Sequence, residues 1–274
     1  RDLGQVRVTV DGLPIEAEVL PVRTLNKRVT YSSTEYIADM PVLCERRESV
    51  DIAAGSSKRF VIGFRIAPDA TPEVHEGTVR ISVGGAEALS LSMRLRVLPY
   101  SLIEPTDMYW GEYYTGPKFA NTDEAKIATM KADMADMRAN GMTSVGLCFG
   151  PPTNTLVWAA DDTCSITWDG TSLYEHFMDT YVELGYPMPV VLLSDSGQGA
   201  AGMGIDDPVS SERWANRYKA YWSMMQQEQQ ERGWPELFIQ PVDEPGWQDR
   251  EANDRNVYCL QLLKQIPGMR TEQD

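Results

Sequence analysis

The hydrophobic period of this chain changes once, near residue 99, and that change limits what it can fold into. Before it, apolar residues recur every second position. In Arg59 to Ile66 the set Phe60, Ile62, Phe64 and Ile66 alternates with Arg59, Val61, Gly63 and Arg65. In Ala88 to Leu98 the set Leu89, Leu91, Met93, Leu95 and Val97 alternates with Ser90, Ser92, Arg94 and Arg96. Such alternation describes half-buried antiparallel strands. Shorter candidates are Val6 to Val10, Ile15 to Leu20, Tyr36 to Leu43 and Thr78 to Val83, separated by turn signals such as Asp11-Gly12, Pro68-Asp69 and Gly84-Gly85. Residues 1–98 are therefore expected to form an antiparallel β-sandwich of immunoglobulin or fibronectin type. Their charged side chains fall on the solvent face and offer no chemistry.

Residues 99–105, which include Pro99 and Pro105, read as a linker. Beyond it, strand and helix alternate. Expected strands are Asp107 to Tyr114, Thr143 to Phe149, Pro189 to Asp195 and Leu237 to Asp243. Expected helices are Asn121 to Asn140, capped by Asn121 with Glu124, then Leu173 to Leu184, Ser210 to Arg232 and Asp249 to Gln265. Met130, Met134, Trp214 and Tyr218 fall at helical spacing and read as core. Leu156 to Trp158 and Ser165 to Trp168 suit a small hairpin around Asp161-Asp162. Repeated βα units imply parallel strands, either in an open doubly wound sheet or in part of a (βα)8 barrel. A complete barrel takes about 250 residues. Residues 106–274 supply four units, with a fifth strand due after Pro267-Gly268, so the expectation is the first half of a barrel. The chain opens at Arg1 without methionine and without a basic, then apolar, leader. It therefore reads as a mature form or a fragment, with no signal peptide of its own.

Composition narrows the partners. The formal net charge of −15 disfavours nucleic acid, which needs clustered Lys and Arg. No apolar run reaches the roughly 18 residues that span a membrane. The four cysteines, Cys44, Cys148, Cys164 and Cys259, form no CxxC, and His75 and His176 lie far apart, so no metal or other cofactor is expected. Gly197-Gln198-Gly199-Ala200-Ala201-Gly202 matches GxGxxG. A dinucleotide site needs those glycines to turn straight into a helix. Here Met203 to Pro208 separates them from the helix expected at Ser210, and the stretch reads as a flexible loop.

The chemistry concentrates at Leu237 to Gly246, an apolar run that ends in Asp243-Glu244 and breaks at Pro245-Gly246. Carboxylates at the carboxyl end of a barrel strand are placed for catalysis; the alternative is a cap on the following helix. Adjacent residues of a regular strand point to opposite faces, so both acids reach one pocket only if the backbone bends at Pro245-Gly246. Tyr109, Trp110 and Trp247, with the polar Glu112, Asn154 and Asp195, lie near strand ends and are candidate substrate contacts.

The layout resembles glycoside hydrolase family 123. The matching stretches are Ile66-Ala67-Pro68-Asp69-Ala70 with Glu76-Gly77-Thr78-Val79, then Met134 to Thr143, and Val242-Asp243-Glu244-Pro245. The resemblance implies a sandwich followed by a (βα)8 barrel, and a retaining β-N-acetylhexosaminidase acting on N-acetylgalactosaminides. Glu244 would be the acid/base. Asp243 would orient the 2-acetamido group that attacks the anomeric carbon, an exception to the rule that the protein supplies the nucleophile. It also implies a carbohydrate partner and a bacterial secreted, periplasmic or cell-surface location. Two alternatives stay open. One is another (βα)8 glycosidase, because Asp-Glu-Pro is one residue away from the Asn-Glu-Pro that many carry at the fourth strand. The other is a sugar-binding or inactive fragment.

Overall fold

The computed structural model describes residues 1–28, 34–105, 107–118, 120–193, 195–242 and 249–271. The chain divides into two compact units, Arg1–Ile103 and Glu104–Asp274.

The first unit is antiparallel throughout its described strands, β1 (Leu3–Asp11), β2 (Glu16–Arg28), β3 (Tyr36–Cys44), β4 (Val50–Ile52), β5 (Phe60–Arg65), β6 (Val74–Val83) and β7 (Ala86–Arg96). They form one sheet in the order β4-β1-β6-β7 and another in the order β3-β2-β5. The link between β6 and β7 is the two-residue turn Gly84-Gly85, both at positive φ (58° and 85°), between paired Val83 and Ala86. Positive φ at both positions matches the twist of a hairpin, and glycine adopts it without strain. In β5 the expected alternation holds: Phe60, Ile62 and Phe64 are partly buried and their neighbours exposed. In β7 it holds only toward the end. Met93 and Leu95 are partly buried, whereas Leu89 and Leu91 are each 48% exposed. β7 is the outermost strand of its sheet along its whole length.

The second unit contains β8 (Tyr113–Tyr114), α1 (Asp123–Ala139), β9 (Gly146–Leu147), β10 (Leu156–Trp158), β11 (Cys164–Ile166), α2 (Leu173–Glu183), β12 (Val190–Leu192), α3 (Ser196–Gly202), α4 (Glu212–Arg232), β13 (Leu237–Ile239), α5 (Arg250–Leu263) and β14 (Arg270–Thr271). Strands β8, β9, β12, β13 and β14 form one parallel sheet in chain order. A doubly wound sheet reverses its strand order at a switch point; across the described residues this one does not. The strands are shorter than the sequence predicts, because the flanking residues leave the ladder to enter the loops. The N-cap of α1 is Thr122, whose hydroxyl accepts from Ala125 N at 3.2 Å, one residue beyond the expected Asn121. Ser211 caps α4 at its start, and Gly233, at φ 66°, ends it.

The core of this unit lies between sheet and helices. Leu147, Val190, Leu192 and Ile239 face Met130, Met134, Phe177, Tyr218 and Trp222, all fully enclosed. Each such side chain contributes about 1.5–3 kcal/mol relative to leaving it in water. The β10–β11 hairpin is antiparallel and pairs Leu156 with Ile166. The glycine-rich stretch is not the flexible loop expected. It forms α3, and Gly197, Gly199 and Gly202 are absent from the positive-φ glycines. They sit inside a helix, so they make no phosphate-cradling turn.

Candidate active site

Parallel strands bring their carboxyl ends to one edge of a sheet, and two of those ends are joined here. After β12 the chain reaches Asp195, which caps α3 with Oδ1 accepting from Gly197 N at 3.0 Å. Its Oδ2 accepts from the Tyr218 hydroxyl at 2.7 Å and from Gln198 Nε2 at 3.1 Å. The same Nε2 donates to the carbonyl of Pro241 at 2.7 Å, just past β13. Nearby, the Ser196 and Tyr221 hydroxyls share a 2.9 Å hydrogen bond.

Burial pushes the Asp195 carboxyl up to about 6, against the hydrogen bonds from Tyr218, Gln198 and Gly197, which favour the charged form. Burial first, then the Asp195 charge, pushes the Tyr218 hydroxyl well above its ordinary 10. The same causes raise the Cys259 thiol to about 12, so it is a packed thiol with no nucleophilic character at neutral pH. At neutral pH Asp195 is thus an ionised acceptor, with both oxygens engaged.

Among the described residues, the predicted site residues are not gathered in one place. Asp243, Glu244 and Trp247 lie outside the described residues, as does the bend expected at Pro245-Gly246. Val242, buried, is the last described residue before the acids. Tyr109 and Trp110 precede β8. The Trp110 carbonyl accepts from Thr143 N and Ser144 N, which precede β9, so both aromatics stand at the amino end of the sheet, away from Asp195. The Tyr109 ring packs 5.3 Å from Phe238, and burial raises its hydroxyl against a nearby Arg270. Trp110 is 60% exposed. Glu112 is exposed, and its carbonyl takes Gly146 N at 3.0 Å. Asn154 is exposed in the loop after β9. It lines a polar cavity of about 300 Å³ with Thr155, Thr167, Asp169 and Ser172. Sequence reasoning missed Gln198, hidden in a stretch read as loop, and the second role of Tyr218, whose helical spacing signals core alone. Among the described residues no group of three or more His, Cys, Asp or Glu is placed to hold a metal ion, and no helix is long and apolar enough to cross a membrane.

No protein-family model matches this chain. No curated protein matches it either. Among solved structures it is similar to a family 123 glycoside hydrolase from Clostridium perfringens, described for glycolipid glycan hydrolysis. The TM-score is 0.69 at 14% identity, over 97% of this chain and 53% of that one. A Bacteroides ovatus GH5 xyloglucanase matches with a TM-score of 0.34 at 14% identity, over 99% of this chain and 60% of that one, too loose a superposition to carry an argument. The likeness is one of fold. This chain spans about half the length of the family 123 structure and has a glycosidase-like mixed α/β architecture, antiparallel sheets followed by a parallel one.

Proposed function

We propose that this chain is a β-sandwich with part of the (βα)8 barrel of a retaining β-N-acetylhexosaminidase, acting on N-acetylgalactosaminide-like substrates. The observation that carries the reading is the position of Gln240-Pro241-Val242. This segment leaves the carboxyl end of β13, the fourth strand of a parallel sheet laid down in chain order, and Asp243-Glu244 follows directly. Barrel enzymes keep their chemistry at that edge. The fold shared with a family 123 glycoside hydrolase supports the same reading.

In this mechanism Glu244 protonates the glycosidic oxygen as the bond to the anomeric carbon breaks. The 2-acetamido carbonyl oxygen of the substrate attacks that carbon and closes an oxazolinium ring, which the ionised Asp243 orients and stabilises. Glu244, now the base, takes a proton from water as water opens the ring, and the configuration is retained. The adjacent charge of Asp243 raises the proton affinity of Glu244 in the direction an acid needs. Asn154 and Trp247 remain candidate substrate contacts, whereas Tyr109, Trp110 and Glu112 precede β8 at the opposite edge of the sheet and are set aside. A secreted, periplasmic or cell-surface setting suits polymeric glycans.

The test is Glu244→Gln in the whole polypeptide that carries this sequence, assayed on an aryl N-acetylgalactosaminide. Activity is expected to fall at least a hundredfold, and an unchanged rate removes Glu244 from the mechanism.

A further inference from the structure

We infer that Gln198 is a positioning residue for the segment that runs into Asp243 and Glu244, with Asp195 and Tyr218 as its anchor. The last ladder bond on this side of β13 is Gln240 N to Leu192 O, at 3.0 Å. The next residue is Pro241, which has no N–H and cannot extend the ladder. Its carbonyl nonetheless belongs to a buried residue and needs a donor. Gln198 Nε2 supplies it at 2.7 Å, in place of a strand.

The amide is itself held. Its second hydrogen goes to Asp195 Oδ2 at 3.1 Å. Both partners are acceptors at neutral pH, so the nitrogen, and not the amide oxygen, must face them, and this orients the group. Asp195 is fixed by the Tyr218 hydroxyl at 2.7 Å and by Gly197 N at 3.0 Å, and Tyr218 is fully buried on α4. Three separate pieces of chain, the turn into α3, helix α4 and the segment after β13, are thereby tied at one point. Asp243 is the second residue after Pro241 in the sequence. The clamp therefore holds the peptide that leads into the acids, and about 1 Å of misplacement of a catalytic group can cost a hundredfold in rate.

The consequence for catalysis rests on the glycosidase reading, but the clamp does not, and the test separates them. In the whole polypeptide, Gln198→Met keeps the length of the side chain and removes both donors. Hydrogen exchange of the peptide spanning residues 240–248 is expected to quicken at least tenfold, with α4 and α5 unchanged. On an aryl N-acetylgalactosaminide kcat is expected to fall ten- to a hundredfold, with KM within threefold. Tyr218→Phe, a milder change that withdraws one donor from Asp195, is expected to give a smaller rise of exchange in the same peptide. It decides the matter if the methionine variant does not fold. Unchanged exchange of that peptide overturns the clamp. Faster exchange with full kcat, in an enzyme that Glu244→Gln silences, overturns the positioning role. If the unsubstituted protein hydrolyses no acetamido glycoside, the glycosidase reading falls, the positioning role falls with it, and exchange alone judges the clamp.

Discussion

The bare α-carbon of Gly197 faces the indole of the buried Trp222 so closely that a Cβ built there would overlap Nε1. Two residues on, a Cβ at Gly199 would meet nothing within 4 Å. The two glycines of one helix should therefore respond in opposite directions. Gly197→Ala forces a rigid ring to move and is expected to destabilise by about 1–3 kcal/mol, the usual cost of overpacking. Gly199→Ala removes backbone freedom from the unfolded chain and is expected to stabilise by about 0.5–1 kcal/mol. Urea unfolding of the two variants checks both signs.

That contrast explains what could be read from the sequence. A glycine triplet in GxGxxG spacing shows only that side chains are absent. It does not say whether a phosphate, a turn or an indole fills the space, because Trp222 is 25 residues away and arrives by tertiary packing. The alternation of β5 and the helical spacing of Trp214, Tyr218, Tyr221 and Met225 are local patterns, and the structure reproduces them. The exposure of Leu89 and Leu91 sets them apart from Met93 and Leu95 on the same strand, a difference that no local pattern records. Asp195 could be picked out as a carboxylate after a strand. Its partners could not, since Tyr218 lies a helix away and Pro241 a further strand away. The acids on which the proposed function turns, Asp243 and Glu244, rest on sequence position and on the edge of the sheet that their segment leaves.

The β10–β11 hairpin is pinned to α4 by two arginines of unequal weight. Arg217, buried, donates from Nε to Asp162 Oδ1 and from Nη1 to the Met203 carbonyl, each at 2.7 Å, with its guanidinium 4.4 Å above the Trp158 ring. Arg213 also pairs with Asp162, but from a half-exposed position. Removing a buried donor strands its acceptors, whereas solvent replaces an exposed one. Arg217→Met is expected to destabilise by about 2 kcal/mol, and Arg213→Ala by much less. Thermal unfolding of both variants under one condition gives the ranking, and an equal loss would refute the asymmetry.

Asp195 should leave a signature in the pH dependence of stability. Its carboxyl holds a proton up to about 6 in the fold, against an ordinary 3.8 in the open chain, chiefly because it is buried. Between about pH 4 and 6 the folded state therefore binds more protons than the unfolded one. This contribution is greatest at the acid end, declines as pH rises through that window, and is gone above it. The difference across the window is at most about 3 kcal/mol. Asp195→Asn does not titrate. Subtracting its unfolding free energy from that of the unsubstituted protein at pH 4.5 and at pH 7.5 should give a more favourable difference at the lower pH. The opposite slope would mean that the hydrogen bonds from Tyr218 and Gln198 outweigh burial.

The choice between the two glycosidase mechanisms turns on where the nucleophile comes from. If the substrate supplies it, removing the 2-acetamido carbonyl removes the reacting atom, and no side chain can take its place. If a carboxylate on another strand supplies it, the 2-substituent is a binding group whose loss costs a few kcal/mol at most. Paired aryl glycosides that differ only at C2, acetamido against hydroxyl, separate these cases in the whole polypeptide. The proposed mechanism expects a kcat/KM ratio above about 10⁴, more than binding loss alone supplies, since each tenfold corresponds to about 1.4 kcal/mol. It also expects a thiazoline that mimics the oxazolinium ring to bind at least a hundredfold tighter than the corresponding sugar, as a mimic of a reaction intermediate should. Equal turnover of the two glycosides would keep Glu244 as acid/base and move the nucleophile from the substrate to the protein.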